Sequence, residues 1–377
     1  IFSPFIIITS IMKNITKKFY SLLDKYSKIL SKREFYEKTL MSFFEFFTSN
    51  FIIIVCLVLF SLLINLINNK KYSEGFTNQL PPFPIDIVYT WAGEKKNSTD
   101  TRQADHNELK YSLRSVNMHM PWVNHIYIFM NSPKKMPSWM KNNKKITFIE
   151  HDELFKSDKP NTNSNALETY LHKIPGLSEH FIYFNDDVFV GRTLQYTEFF
   201  SPEGKLKVPK KTVDVKDMKI AGKTPKVSFE LPPFPEWWYP HIPIPMKKSQ
   251  TQKFHERYPE YINWVRGIKK RIGTGCDECE NVNLKCPCQQ QHFPLQYFAY
   301  QNNDTEFRDE TGEFPFIKLD KLLKDGIKEM DIIKTSKPKF FCLADFGALN
   351  NDDREKIRNL ISTFCDEFYY VRPDFEI

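Results

Sequence analysis

The chain has 377 residues, 41% of them hydrophobic and 26% charged, with 34 phenylalanines; this buries a sizeable core and excludes a disordered or collagen-like chain. The formal net charge is +7, but residues 1–75 carry ten Lys/Arg against five Asp/Glu, so most of the surplus belongs to an N-terminal arm. A nucleic-acid enzyme concentrates its basic residues on the folded part, so the charge argues against a nucleic-acid partner.

In chain order, residues 1–50 form the basic arm. Over 13–47, Lys is interleaved with Phe, Tyr and Leu at roughly helical spacing, which predicts a solvated or membrane-surface helix. FIIIVCLVLFSLLINLI at 51–67 is uncharged, with only Ser61 and Asn65 strongly polar, and is expected to form a single transmembrane helix at the short end of spanning length. Eight Lys/Arg lie upstream and only Lys70 and Lys71 close behind, which favours a cytoplasmic N-terminus. In a eukaryotic cell that orientation makes the following domain lumenal, of Golgi or ER type; the opposite orientation, which Lys70 and Lys71 leave open, makes it face the cytosol. Residues 68–83 turn polar and then Pro-rich, a stem, and the folded domain is expected over 84–377.

That domain alternates strands and helices. IDIVYTW (Ile85–Trp91) reads as a strand; Leu109, Leu113 and Val116 fall at helical spacing in a helix ending at His119, with Asp105 as its expected N-cap. HIYIFMN (125–131) and ITFIEH (146–151) are further strands, and 163–172 a helix. FIYFNDDVFVG (181–191) reads as a fourth strand interrupted by two acids. The alternation predicts an α/β fold: a mostly parallel, Rossmann-like sheet with helices on both faces, whose ligands bind beyond the carboxyl ends of the strands. Asp186 and Asp187, beside Asn185, stand at such an end. Hard carboxylate oxygens there suit Mg²⁺ or Mn²⁺ between phosphates; equally, the pair could simply cap the next segment. Glu168 adds a third acid from the preceding helix.

IDIVYTWAG, DHNELKYSLRSVNMHMPWVNHIYIFMN and NSNALETYLHKIPGLSEHFIYFNDDVFVGRTL together resemble the Stealth family of sugar-1-phosphate transferases, which includes bacterial capsule hexose-1-phosphate transferases and the catalytic chain of N-acetylglucosamine-1-phosphotransferase. HIPIPMKKSQTQKFHERYPEYINWVRGIKKR and FFCLADFGALNNDDREKIRNLISTF continue the likeness to the C-terminus. The family usually has Cys-Leu-Asn-Asp where this chain has Cys342-Leu343-Ala344-Asp345, and Lys110 replaces a more usual Arg.

The resemblance implies transfer of a sugar 1-phosphate from a nucleotide-diphosphate sugar, such as UDP-GlcNAc, to a glycan hydroxyl. It implies Glu168, Asp187, His241 and Arg271 as the catalytic set. Either His241 or Glu168 has the chemistry of a general base; His241 is the preferred base, with Glu168 positioning donor or acceptor, Asp187 with Asp186 holding Mg²⁺ or Mn²⁺, and Arg271 offering a planar fork to phosphate oxygens. Asp86, Thr90, Trp91, Arg114, Asn185 and Asp345 are the implied donor contacts. Two other classes stay open: a metal-dependent glycosyltransferase using the acidic pair, and an inactive Stealth-like glycan- or protein-binding module, which the Ala344 departure would fit.

Of seven cysteines, Cys56 lies in the apolar run and four cluster as Cys276-x2-Cys279-x6-Cys286-x-Cys288 in an insert over 276–292. In a reducing compartment they suit a structural Zn²⁺, with His292 as a substitute ligand. In an oxidising one the even count of six outside the apolar run allows disulfides that include Cys342 and Cys365.

Overall fold

The computed structural model describes most of 80–377, excepting 94–104, 132–134, 156–162, 213–227, 234–236, 239–240, 269–290, 310–313 and 345–349, together with residues 17, 21, 37 and 39–42 of the arm. The expected span at 51–67, Arg271, Asp345 and the four clustered cysteines lie outside the described residues. Among the described residues no helix is long and apolar enough to cross a membrane. The chain divides into two units, Ile1–Thr77 and Asn78–Ile377; the fold below is that of the second.

Its centre is a five-stranded sheet in the order β3-β2-β1-β4-β8, with β1 Ile85–Trp91, β2 Ile126–Met130, β3 Ile146–Glu150, β4 His180–Asn185 and β8 Ile244–Lys247. The first four are parallel and β8 is antiparallel. β1 and β2 are buried at every position, as expected of parallel strands covered on both faces. Pro245, which has no N–H to donate, is tolerated in β8 because β8 is an edge strand. The strand order reverses between β1 and β4, and ligands bind at the carboxyl ends of strands at such a point. The register pairs Thr90 with Asn185 there.

The predicted strand over 181–191 is two strands in two sheets. β4 ends at Asn185, Asp186 and Asp187 make the turn, and β5 (Val188–Val190) joins a second sheet in the order β10-β11-β5. There β5 runs antiparallel to β11 (Phe340–Ala344), and β10 (Phe316–Lys318) parallel to it. The acids therefore form a hinge between sheets. β6 (Leu206–Thr212), β7 (Trp237–Trp238) and β9 (Thr305–Asp309) form a third sheet.

Helix α1 (Glu108–His119) supports the short edge strand β5 with its serines. Ser115 Oγ accepts from the Val190 N–H at 3.0 Å, and Ser112 Oγ donates to the Val188 carbonyl at 2.5 Å. The α1 N-cap is Asn107 at φ 70°, not Asp105, whose carboxylate instead accepts from the Asn107 N–H; Asn tolerates this left-handed conformation better than most residues. The helix expected over 163–172 is α3 (Ser164–Glu168), followed by a 3-10 turn at Leu171–Lys173. Before it, α2 spans His151–Phe155. Further on come α4 (Lys248–Arg257), α5 (Pro259–Gly267), α6 (His292–Gln301), α7 (Leu319–Ser336) and α8 (Asn351–Phe368). One apolar core surrounds the central sheet. A second gathers Phe189, Phe341 and the inner faces of α7 and α8, with the Phe189 and Phe341 rings stacked at 5.1 Å.

Candidate active site

Chain direction assembles the site. Since β8 is antiparallel to β4, the segment leading into β8 lies beside the end of β4, and it carries His241. The pairing of Val188 with Cys342 brings β11 alongside the Asp186-Asp187 turn, where the Leu343 N–H donates to the Asp187 carbonyl at 3.0 Å. Four of the expected residues, Glu168, Asn185, Asp187 and His241, thereby meet at the carboxyl ends of β1 and β4.

Tyr183 links them. It lies two residues before Asn185 on the same face of β4, and its hydroxyl donates to Asn185 Oδ1 at 2.6 Å, lies 3.0 Å from Thr90 Oγ1 and 3.4 Å from Glu168 Oε1. Asn185 Nδ2 then donates to His241 Nε2 at 2.6 Å. With Nε2 an acceptor, the ring proton of the neutral imidazole sits on Nδ1, which faces Asp187 Oδ1 at 3.5 Å and Cys342 Sγ at 3.4 Å. The His241 and Asp187 side chains are 31% and 23% exposed, so both remain open to a ligand. Glu168 is buried, with its Oε2 3.2 Å from His292 Nδ1.

Asp187, His241 and Cys342 offer ligand atoms that all lie within 4.8 Å of one another, close enough to share one ion. Asp187 Oδ1 makes no hydrogen bond beyond its longer ion-pair approach to His241. Asp186 stands outside this trio; burial, followed by the carboxylates of Asp187, Glu108 and Asp105, pushes its carboxyl well above the usual range. Burial and the Asp187 charge likewise push the Cys342 thiol up, so it is neutral without an ion. The donor set of one carboxylate, one imidazole and one thiol is broader than the expected pair of carboxylates.

The other expected residues are placed as follows. Asp86 lies at the amino end of β1, away from this crevice, and its carboxylate accepts from Asn124 Nδ2 at 2.8 Å and the Ser178 N–H at 2.7 Å; it ties two loops together. Arg114 is buried in a network with the C-terminal tail: Nε donates to Glu376 Oε1 at 2.7 Å, Nη2 to Glu376 Oε2 at 2.5 Å and Nη1 to Asp366 at 2.7 Å. Its guanidinium stacks 4.8 Å from the Tyr111 ring. Trp91 is buried in the central core. Cys342 and Cys365 are buried free thiols, so the disulfides expected to include them do not form.

Tyr183 and Gln291, whose Nε2 donates to the Glu168 carbonyl at 2.6 Å, are site residues the sequence alone does not single out; His292 lies against Glu168, and the cysteines it was expected to join as a zinc ligand lie outside the described residues. For Tyr183 the usable signal was its two-residue spacing from Asn185 on a strand. Gln291 and His292 come from a distant helix and left no local signal.

Residues 102–208 match the family model described as Stealth protein CR2, conserved region 2. This stretch contains Glu168 and the Asn185–Asp187 turn, but not His241. The chain is 28% identical over 341 residues to the capsular polysaccharide phosphotransferase LcbA of Aeromonas hydrophila, taking in 76% of this chain and 85% of that protein. It is 43% identical over 148 residues to LcbA of Neisseria meningitidis, covering 33% of this chain and 40% of that one. The exopolysaccharide phosphotransferase SCO6023 of Streptomyces coelicolor is 26% identical over 327 residues, 78% of this chain and 52% of its own length. The chain thus spans most of the Aeromonas relative but only 40% and 52% of the other two.

Proposed function

We propose that the chain, which matches Stealth conserved region 2 over residues 102–208, is a Stealth-family phosphotransferase that moves a sugar 1-phosphate from a nucleotide-diphosphate sugar to a glycan hydroxyl. The observation that carries this reading is the convergence of Glu168, Asn185, Asp187 and His241 at the switch point of the sheet, joined through Tyr183.

In this reading His241 is the general base. Asp187 holds its Nδ1–H, which leaves Nε2 as the basic nitrogen; the acceptor hydroxyl replaces Asn185 at that nitrogen and gives up its proton there. The freed oxygen forms a bond to the sugar-side phosphorus, the bond from that phosphorus to the bridging oxygen breaks, and a nucleoside monophosphate departs. Glu168, behind Tyr183, positions donor or acceptor. A Mg²⁺ or Mn²⁺ ion fits at Asp187, with Asp186 behind it, because such ions take one or two protein carboxylates and draw their other ligands from phosphate and water. When bound it neutralises charge between the phosphates. Arg271, carried over from the family likeness, offers its planar guanidinium fork to the phosphate oxygens in this proposal. Thr90, whose hydroxyl meets Tyr183, and Asp345, just beyond β11, remain donor contacts in this proposal.

The span at 51–67 anchors the enzyme to a membrane, and the 276–292 insert braces the loop that carries Arg271 through zinc or local disulfides. The nucleotide released tests the assignment: a monophosphate for sugar-phosphate transfer, a diphosphate for transfer of the sugar alone.

A further inference from the structure

Glu168 ends a helix of five residues, too short to be stable alone, so its direction is set by what holds α3 from outside. Arg266, from α5, donates to Thr169 Oγ1 at 2.9 Å and to the Thr169 carbonyl at 3.1 Å, and stacks 4.1 Å from the Tyr170 ring. Gln291 Nε2 donates to the Glu168 carbonyl at 2.6 Å, and Gln291 Oε1 accepts from His255 Nε2 at 2.9 Å. These contacts fix the Glu168 backbone. Its carboxylate is met by His292, the first residue of α6, whose Nδ1 lies 3.2 Å from Oε2, both side chains being buried. The other oxygen, Oε1, has the longer 3.4 Å contact to Tyr183, on the side of Asn185 and His241.

We infer that His292 is the positioning residue for Glu168: its Nδ1–H holds Oε2 and so turns Oε1 toward the crevice at the ends of β1 and β4. This deepens the function proposed above and rests on it for its catalytic consequence. It gives His292 a role different from metal ligation. Its neighbour Gln291, the N-cap of α6, holds the same glutamate by its main chain, so two successive side chains at the start of α6 grip Glu168.

The test uses the full-length chain. In ring-nitrogen NMR spectra of ¹⁵N-histidine-labelled protein, with His292 assigned by its loss in His292→Ala, Glu168→Gln should change the His292 tautomer and ring-nitrogen shifts. An unchanged His292 signal would overturn the inference, and this readout does not depend on turnover. With UDP-GlcNAc as donor probe, His292→Ala should lower kcat about 10- to 100-fold, the range of losses when a partner that orients an active group is removed. KM for the donor should move far less, with no loss of thermal stability, and His292→Gln, which keeps an N–H, should recover part of the rate. A His292→Ala enzyme with wild-type kcat, beside a Glu168→Gln enzyme that has lost activity, would also overturn it. If UDP is released in place of UMP, the proposed function fails while the NMR result still decides the pairing.

Discussion

His241 and Asn185 meet at 2.6 Å across the junction between β4 and the segment entering β8. The contact gives the imidazole its tautomer, because the same amide accepts from Tyr183 on its oxygen side and so presents its N–H₂ to Nε2. His241→Ala should lower kcat about 10²- to 10⁴-fold, the usual contribution of a general base. Asn185→Ala, which removes one orienting hydrogen bond worth about 1 kcal/mol, should cost about 5-fold. Steady-state rates of the two variants decide it; equal and small losses would remove His241 from the chemistry.

The thiol of Cys342, also 3.4 Å from Asp187, makes the same crevice receptive to softer ions. Zinc prefers the mixed sulfur, nitrogen and oxygen set that Cys342, His241 and Asp187 offer, whereas magnesium does not use a thiol. Zn²⁺ should therefore inhibit a Mg²⁺-supported reaction by occupying His241. Cys342→Ala should raise the inhibitory zinc concentration about 10-fold or more while leaving the Mg²⁺ dependence in place. Inhibition curves in the two proteins measure this, and identical curves would exclude the thiol as a ligand.

Arg114 and Glu376 form a buried bidentate pair that fastens the C-terminal tail onto α1. Removing Glu376 strips Arg114 of its buried carboxylate and leaves only Asp366 and the Tyr369 carbonyl, so Glu376→Ala should destabilise the fold by about 3 kcal/mol. Urea unfolding measures the loss. KM for the donor should stay at the wild-type value in whatever fraction remains folded, which separates a structural Arg114 from one that touches donor.

Acid should weaken the fold through its buried histidines. Burial holds His151 and His255 down to about 4, and burial with the neighbouring His255 ring and basic groups takes His172 to about 2, against an ordinary 6.5. Below pH 6.5 the unfolded chain binds protons that the folded chain refuses until near pH 4, so this stability is complete above pH 6.5 and is lost as pH falls toward 4. Asp186 opposes it, since its raised carboxyl takes up a proton in the folded state first. The urea midpoint should fall between pH 7 and pH 4.5, and fall more steeply in Asp186→Asn. A midpoint that rises over this interval would contradict the assignment.

Much of this fold was readable from residue types alone. The apolar runs over 85–91, 126–130 and 146–150 became strands because a parallel sheet buries both faces, and Asn163 capped its helix as its side chain suggests. The acidic turn has the local pattern of an interrupted strand, which does not reveal that Val188–Val190 pairs with Phe340–Phe341 and Cys342, some 150 residues further on. Arg114 misled for a similar reason: its partners lie 252 and 262 residues away, and nothing near it in sequence distinguishes a buried ion pair from a phosphate contact. Glu168, Asp187 and His241 were found through family likeness; their linkage through Tyr183 and Asn185 needed the register of β1, β4 and β8.

The most direct measurement follows the sugar-side phosphorus itself. Full-length protein would be incubated with Mg²⁺, an oligosaccharide acceptor and UDP-GlcNAc carrying ³²P in the phosphate next to the sugar. The account predicts that the label moves to the acceptor in a phosphodiester, with unlabelled UMP released, and that His241→Ala and Asp187→Asn each slow the transfer by about 100-fold or more. Label retained in UDP, with sugar alone on the acceptor, would contradict it.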